Sequence, residues 1–280
     1  MYYENIRLPK ELIFKQKWSG YTEHAEHIHD VLEISVLLEH HAIYNLLGKE
    51  YKGSPGDVFL FRPFEPHWPV MADEALPFQW IMILFAPSIV RMIPHGSRLL
   101  APFYAVESIN PLIPAASPYA AAIQLAASQA VEEEQAKRIG WEAKQFQYFI
   151  DILVSIYRYS FESKPIAEEG SVDSGMLKVI EHMLENFPQI IDMEPLIEMS
   201  GRKKTAFFAK FKAVTGLSPN EFIHRLRIQL ALHLLEHTDR TITDIAYDCG
   251  YVTSSHFNNH FKELRGISPR EHRKATKISD

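Results

Sequence analysis

One phrase of the sequence occurs twice. FKAVTGLSPNEF begins at Phe211 and FKELRGISPREH begins at Phe261, so that Phe, Lys, Gly, Ser and Pro recur 50 positions apart. In each copy a glycine, Gly216 or Gly266, supplies the left-handed residue that ends a helix, and the Ser-Pro pair after it supplies an N-cap followed by proline. Each copy therefore predicts the end of one helix and the start of the next.

A second pair of matched segments lies upstream of the repeated phrase. MEPLIEMSG (193–201) and ITDIAYDCG (242–250) share apolar residues at their first, fourth and fifth positions and glycine at the ninth. Each segment predicts a short helix and a tight turn, and a second helix follows, so we interpret the pair as two helix-turn-helix units. Two copies are too few for a solenoid, which usually needs three or more stacked repeats.

The segment between the two units, PNEFIHRLRIQLALHLLEH (219–237), predicts one long helix whose polar side carries Arg225 and Arg227. Nineteen helical residues extend about 28 Å, and successive major grooves on one face of B-DNA lie about 34 Å apart. With the radii of the neighbouring helices added, this spacing allows the two second helices to enter neighbouring major grooves.

Charge is divided unevenly along the chain, whose net charge is −6. Residues 1–170 carry 14 basic and 21 acidic residues, a net of −7, whereas residues 202–277 carry 14 basic and 7 acidic residues, a net of +7. A basic part attached to an acidic one is the arrangement expected when only the basic part touches phosphates. A solvated helical surface is the alternative explanation of the same charges.

The C-terminal region, from about residue 175 to residue 273, resembles the DNA-binding domain of the AraC family of bacterial transcription regulators. The segment RTITDIAYDCGYVTSSHFNNHFKELRGISPREHR (240–273) carries the resemblance. It implies a seven-helix domain with two helix-turn-helix subdomains that reads DNA through the N-terminal residues of each second helix. It also implies a homodimer on double-stranded promoter DNA that acts as an activator by contacting RNA polymerase.

Ten residues are predicted to contact DNA. They are Lys203, Lys204, Thr205 and Phe208 in the first helix-turn-helix, Ser254, Ser255, His256 and Asn259 in the second, and Arg225 and Arg227 on the helix between them. Many family members have arginine, the usual reader of guanine, where this chain has Ala209 and Asn259. We therefore expect the first helix-turn-helix to contact mainly phosphates and thymine methyl groups.

The N-terminal half predicts a different fold. Short apolar runs separated by turn residues are typical of strands in an antiparallel sandwich or barrel, and they lie at 31–38, 42–47, 57–61 and 78–85. After Pro118 the chain has helical length and composition, and Phe146, Phe149, Ile150, Leu153, Ile156 and Tyr157 form one apolar stripe. Such a stripe covers either the protein's own core or a partner helix.

The predicted architecture is α+β and multidomain. Its parts are a cupin-like β-barrel for ligand sensing at 1–115, a helical dimerisation segment at 116–161, a linker at 162–173, and an all-α DNA-binding domain with two helix-turn-helix subdomains at 174–280. The linker prediction follows from ESKPIAEEGSVDSG (162–175), which is polar and broken by Pro and Gly.

HIHDVLEIS places His27, His29 and Glu33 at even spacing on one face of a strand, and EPHW adds His67 from a later strand. Together with PGDVFLFRPFEPHWPV (55–70) the pattern resembles the motifs of cupin barrels, in which the matching side chains hold a divalent metal. Two alternatives stay open: these residues hold iron, manganese or zinc, or they line a pocket and form hydrogen bonds without a metal. We expect the second, with no metal and no cofactor.

The same residues, with Tyr44 and Trp80, form the predicted pocket for a small-molecule effector. Aromatic rings stack on sugar rings, although aromatic side chains on barrel strands more often fill the interior. A sugar is therefore the first candidate for the effector.

Three classes of function fit parts of the chain. A ligand-responsive transcription regulator accounts for the repeat, the charge and the barrel; a metal-dependent cupin enzyme, such as a dioxygenase or isomerase, accounts only for the histidines; a nucleoid-type architectural protein leaves the barrel unexplained. We prefer the first class and expect no enzyme activity. The single cysteine, Cys249, excludes an intramolecular disulfide framework, and no apolar run is long enough to cross a membrane, so we expect a cytoplasmic protein.

Overall fold

The chain divides into two compact units, an N-terminal unit of Met1–Val172 and a C-terminal unit of Asp173–Asp280. In this computed structural model the described residues are 2–3, 11–19, 27–29, 31–46, 49–63, 65–73, 76–105, 110–161 and 173–277. The predicted linker at 162–173 therefore lies, apart from Asp173, outside the described residues.

Two five-stranded sheets form most of the N-terminal unit. In spatial order the first sheet contains β1 (Tyr2–Tyr3), β3 (His27–Ile28), β8 (His67–Met71), β5 (Ala42–Leu46) and β6 (Lys49–Gly53). The second contains β10 (Leu112–Ile113), β7 (Val58–Phe61), β4 (Leu32–Glu39), β9 (Gln79–Phe85) and β2 (Leu12–Trp18). The pair β1–β3 is parallel, and the remaining neighbours are antiparallel, as the alternation of short runs and turns predicts.

The two sheets share one apolar core. Its buried members come from both sheets and from the segment before β9: Leu37, Ala42, Tyr44, Leu46, Phe59, Phe61, Phe78 and Trp80. The rings of Tyr44 on β5 and Phe59 on β7 stack across the core with centroids 4.0 Å apart. The four residues of β7 are all buried, because this strand lies inside its sheet and is covered on both faces.

Helices follow the sheets. They are α1 (Ala101–Tyr104), α2 (Pro118–Ala136) and α3 (Trp141–Phe161), and two short 3-10 segments, Pro87–Met92 and Gly96–Leu100, precede them. Helix α2 contacts β2, β4, β7 and β9, and it pairs with α3 along its length. None of the helices among the described residues has the length and apolar content needed to cross a bilayer.

The apolar stripe of α3 covers the core of its own unit. Phe149, Leu153 and Ile156 are fully buried, and the Phe149 ring lies edge-on to Phe85 of β9 with centroids 4.8 Å apart. Ile152 is also fully buried, whereas Ile150 is only half-buried, so the buried stripe is rotated slightly from the predicted one.

Seven helices form the described part of the C-terminal unit, residues 173–277. They are α4 (Ser174–Asn186), α5 (Met193–Met199), α6 (Lys204–Thr215), α7 (Pro219–His237), α8 (Ile242–Asp248), α9 (Ser254–Arg265) and α10 (Pro269–Lys277). The pairs α5–α6 and α8–α9 are the two predicted helix-turn-helix units, and α7 joins them. The α+β fold class, with an all-α C-terminal part, is thereby confirmed.

The repeated phrase forms helix boundaries as predicted. Gly216 ends α6 with φ 76° and Gly266 ends α9 with φ 74°. The hydroxyl of Ser218 accepts a hydrogen bond from the Glu221 backbone N–H, and the Glu221 carboxylate accepts one from the Ser218 N–H at 2.8 Å. Four phenylalanines of the two helix-turn-helix units are fully buried and fill the interior of the C-terminal unit. They are Phe207, Phe211, Phe257 and Phe261.

Candidate DNA interface and effector site

The first recognition helix, α6, presents its N-terminal turn to solvent. Lys203, Lys204 and Thr205 are exposed, whereas Phe208 is half-buried against Phe207, with ring centroids 5.3 Å apart. Lys203 occupies the N-cap position, and no side-chain cap is formed there within the described residues. The ammonium groups of this turn are therefore available for phosphates, while Phe208 offers only part of its ring.

An ion pair fixes the turn before α6. Arg202 donates to the backbone oxygen of Ser200 at 2.8 Å, and its guanidinium forms a two-nitrogen ion pair with the carboxylate of Asp173. Asp173 also caps α4, because its Oδ1 accepts from the backbone N–H of Gly175 and of Met176. Sequence analysis missed this contact, since the two charged residues are 29 positions apart.

The second recognition helix, α9, has a different first turn. Its N-cap is Thr253, whose hydroxyl accepts from the His256 backbone N–H at 3.2 Å. Ser255, His256 and Asn259 are exposed and Ser254 is half-buried. All four predicted contact residues thus lie on the first part of α9, and the three exposed ones are on the side away from the buried Phe257 and Phe261.

The turn before α9 allows only glycine. Gly250 has φ 88°, and a Cβ built there would lie 2.6 Å from the backbone oxygen of Pro188. The turn before α6 is less crowded, since Gly201 has φ 66° and a Cβ there would meet nothing within 4 Å. Cys249 is fully buried next to Gly250.

The two arginines of α7 have different environments. Arg225 is half-buried. Arg227 is buried, its Nε donates to the Phe187 oxygen at 2.8 Å, its Nη2 donates to the Gln189 oxygen at 2.7 Å, and its guanidinium lies 5.5 Å from the centroid of the Tyr251 ring. The prediction that Arg227 faces DNA is therefore wrong: its guanidinium holds together the segment after α4, helix α7 and the residue after the second turn.

The four side chains of the cupin-like pattern converge in the N-terminal unit. His29 Nε2 lies 3.1 Å from Glu33 Oε2, and His67 Nε2 lies 3.6 Å from the same oxygen. Ligand nitrogens of His27, His29 and His67 lie within 4.8 Å of one another. The prediction of one continuous strand is wrong, because His27 lies on β3, His29 follows that strand, and Glu33 lies on β4 in the other sheet.

Hydrogen bonds orient two of these imidazoles. The Nδ1–H of His29 donates to the Val31 oxygen at 3.0 Å, and the Nδ1–H of His67 donates to the Glu65 oxygen at 2.8 Å. Both Nε2 atoms consequently face Glu33. Burial opposes ionisation of Glu33, but the hydrogen bond with His29 and the nearby imidazole of His67 outweigh it and hold the pKa of Glu33 well below its usual range.

The donor set at this site fits a divalent metal ion. His67 Nε2 is buried and has no hydrogen-bond partner among the described residues, which is the condition of a nitrogen aimed at an ion or at a ligand. Burial lowers the pKa of His67, yet the Glu33 carboxylate more than compensates and raises it overall. The raised pKa favours the cationic form of His67 beside ionised Glu33 when no metal is bound. The geometry is compatible with both alternatives drawn from the sequence.

Tyr44 and Trp80 do not line an open pocket. The Tyr44 hydroxyl shares a hydrogen bond of 3.2 Å with Ser35, and the Trp80 ring packs on Phe78 with centroids 4.8 Å apart. Both side chains are buried in the core between the sheets. In the structure these two rings help to fill the interior of a small two-sheet fold, and their role in effector binding stays a prediction.

A cleft of ≈ 420 Å³ opens beside β5 and β6. Its polar and charged lining residues are His40, His41, Lys52 and Asp73. Sequence analysis did not identify this cleft, because its residues come from turns and strand ends that share no motif. Its other lining residues include the apolar Ala42, Ile43 and Leu76.

Comparison with known proteins agrees with both parts of this description. A family model described as the AraC-like ligand binding domain matches residues 19–143, and one described as a helix-turn-helix domain matches residues 196–275. The HTH-type transcriptional activator RhaS of Escherichia fergusonii is 29% identical over 131 residues, which cover 47% of this chain and 46% of that protein. RhaS of Enterobacter sp. (strain 638) is 25% identical over 267 residues, which cover 91% of this chain and 89% of that protein.

Among solved structures, ToxT from Vibrio cholerae O395 is 14% identical with a TM-score of 0.49, covering 95% of this chain and 99% of ToxT. A ligand-binding β unit joined to a double helix-turn-helix defines the protein as a ligand-controlled, DNA-binding transcription regulator. The chain belongs to the AraC family, as its repeated phrase and its two matched regions indicate.

Proposed function

We propose that the protein activates transcription in the cytoplasm, as a homodimer that binds promoter DNA through both helix-turn-helix units and contacts RNA polymerase. The observation that carries this proposal is the exposure of both recognition-helix N-termini in a unit where a single helix, α7, joins the two turns. The net charge of +7 over residues 202–277 supports contact with phosphates. The relatives reported above are named as activators.

The two recognition helices have different roles in this proposal. The α6 turn offers two lysines and no exposed amide side chain at its predicted contact positions, so its contribution is electrostatic and independent of sequence. The α9 turn offers serine hydroxyls, an imidazole and the Asn259 amide, which pairs with adenine in the major groove. Sequence preference therefore comes mainly from the second helix-turn-helix.

A polar small molecule, with a sugar as the first candidate, controls the activity through the N-terminal unit. The ionised Glu33 and the neighbouring imidazoles offer acceptors and donors for hydroxyl groups. The effector changes operator affinity only if it binds one arrangement of the dimer better than another. A difference of about 1–3 kcal/mol gives a 5- to 150-fold response.

The decisive experiment is selection of binding sites from a randomised duplex pool by the full-length protein. We expect an enriched site whose two parts lie one helical turn, about 10.5 base pairs, apart on one face, because α7 sets the distance between the recognition helices. A pool that remains random after several rounds would refute sequence-specific binding. A reporter fused to the selected promoter, with and without the gene, then distinguishes activation from repression.

The effector proposal is tested by thermal denaturation of the full-length protein with sugars, small acids and divalent metals. A ligand that binds only the folded protein raises its melting temperature. The rise should disappear in His67→Gln, whereas His41→Gln tests the cleft beside β5. If both variants respond as the wild type does, neither site binds the effector.

A further inference from the structure

A second group of three histidines lies in the C-terminal unit. His224 is on α7, and His256 and His260 are one turn apart on α9. Ligand nitrogens of the three residues all lie within 4.8 Å of one another. His256 Nε2 and His260 Nε2 are 2.9 Å apart, and the rings of His224 and His260 stack with centroids 3.8 Å apart. Of the three, only His256 has a role in the proposed function.

The outer nitrogens of two of these rings have partners outside the cluster. His224 Nδ1 lies 3.4 Å from the Tyr251 hydroxyl, and His260 Nδ1 lies 3.6 Å from Glu263 Oε2. Histidines that bind metals usually have such a partner on the other ring nitrogen, which fixes the orientation of the ring. The Nε2 atoms of His256 and His260 face one another inside the cluster.

Two of the three histidines have lowered pKa values. Burial, followed by the nearby His260, Arg227 and His256, lowers the pKa of His224 to about 4. Burial and the neighbouring His256 likewise lower the pKa of His260, against the opposite effect of Glu263. Histidine binds a metal ion through its neutral imidazole, and the fold brings the three rings of this cluster together.

We propose that His224, His256 and His260 form a binding site for a divalent transition-metal ion such as Zn²⁺ or Ni²⁺. Imidazole nitrogen suits these metals, and three protein ligands with one open position is an established zinc geometry. In a tetrahedral site with Zn–N distances of 2.0–2.1 Å the nitrogens are about 3.3 Å apart, so side-chain rotations suffice to close the present spacing. His256 is exposed, which gives the ion a path of entry.

The ion would connect α7 to the first half of the second recognition helix. His256 lies between Ser255 and Asn259 in the sequence of the predicted DNA-contacting turn, so an occupied site would fix an imidazole that otherwise pairs with His260 and can rotate toward a base. Operator affinity therefore depends on the metal. This last consequence rests on the proposed function, whereas metal binding itself does not.

The test is Zn²⁺ titration of chelator-treated, full-length protein by calorimetry, with Co²⁺ absorption as a spectroscopic probe of nitrogen ligation. The variants His224→Gln and His260→Gln each remove one ligand. We expect each to lower the affinity for one bound Zn²⁺ ion by at least about 100-fold, because loss of an outer-shell partner alone can cost that much. His182→Gln, a half-buried histidine on α4, is the matched control and should leave that equivalent unchanged. His67→Gln identifies any equivalent bound by the N-terminal unit.

The proposal is overturned if wild type and His260→Gln bind Zn²⁺ with the same affinity and stoichiometry, including the case in which neither binds. Circular dichroism shows whether each variant is folded, and His260→Gln alone decides the outcome if His224→Gln is not. Affinity for the selected duplex is then compared with and without Zn²⁺ in wild type and His260→Gln. If Zn²⁺ binds and operator affinity is unchanged, the link to DNA is wrong; if no duplex is selected, the proposed function fails while the titration still tests the site.

Discussion

The two helix-turn-helix units share a backbone design but differ in side-chain chemistry. In both, a glycine with positive φ forms the turn, a recognition helix of 12 residues follows, and a second glycine with positive φ ends that helix. The residues that face solvent at the start of the two helices have little in common: α6 begins with lysines and α9 with serines and histidine.

This difference separates what folding requires from what DNA binding requires. Apart from the exposed Lys212 and Lys262, the repeated residues are those that end helices, cap them or fill the core, namely glycines, Ser-Pro pairs and phenylalanines. The residues that vary are exposed on the recognition helices, where they carry little of the stability. The repeat therefore predicts shape, and the differences within it predict the division of roles between the two units.

The largest expected effect distinguishes the two turn glycines. Gly250→Ala should lower the free energy of unfolding by about 4 kcal/mol, because it combines left-handed strain with a clash against the Pro188 oxygen. Gly201→Ala should cost about 1–2 kcal/mol, since only the strain applies. Urea denaturation of both variants measures the difference, and equal losses would show that the second turn is no more constrained than the first.

A substitution of Arg227 tests how α7 is held against the segment after α4 in the C-terminal unit. Arg227→Met keeps the aliphatic stem but leaves the Phe187 and Gln189 oxygens without their donor, so we expect a loss of about 3 kcal/mol in unfolding free energy. Arg225→Gln, on the same helix, should change stability little and weaken DNA binding instead. Unfolding curves and duplex affinities of the two variants check this, and a stable Arg227→Met with impaired DNA binding would restore the sequence-based prediction for Arg227.

The proposed division of roles is sharpened by Asn259→Ala and Lys204→Ala. Removing the Asn259 amide should reduce discrimination between selected and random duplex by about 1–3 kcal/mol. Removing the Lys204 charge, whose partner Glu194 at 3.8 Å is itself exposed, should weaken binding to both duplexes alike and reduce the salt dependence by about one ion. Titrations at several salt concentrations measure both quantities.

Equal losses on both duplexes for both variants would contradict this division. A matched control is Asn258→Ala, because Asn258 is exposed on α9 but is not among the predicted contact residues. That variant should bind both duplexes as the wild type does.

The smallest effects concern the two Ser-Pro caps. Ser218→Ala should lower the free energy of unfolding by about 1 kcal/mol. Ser268→Ala should lower it less, because α10 is the last helix of the C-terminal unit and can fray alone.

The hydrogen bonds with Ser218 lower the pKa of Glu221 from its ordinary value of 4.5. The contribution of Glu221 is therefore complete above about pH 4.5 and is lost as the pH falls through its lowered pKa. Unfolding at pH 7 and pH 4 should differ less in Glu221→Gln than in wild type.

The predictions that were confirmed depend on local rules. The bounds of α7 follow from Ser218 and Pro219 at its start, and the ends of α6 and α9 follow from single glycines. The predictions that were wrong depend on what faces each residue in the folded chain. The sequence places Arg227 on the polar side of a helix, and only the fold shows that the Phe187 and Gln189 oxygens face its guanidinium.

The candidate sites show the same limit. The spacing of His27, His29 and Glu33 resembles a known motif, so their convergence with His67 was predictable, although the break between β3 and β4 was not. His224 lies 32 positions before His256, and no motif links them. Only the crossing of α7 and α9 brings their rings together.

Asp173 is the first residue of the C-terminal unit, and its carboxylate makes two sets of contacts. It starts α4, and it holds the arginine that precedes the lysine-rich recognition helix. A force applied to the chain at Asp173 is therefore transmitted through Arg202 to the turn before α6. The ion pair of Asp173 is with that turn and not with the turn before α9. A conformational change transmitted along the chain would therefore affect the two recognition helices, α6 and α9, unequally.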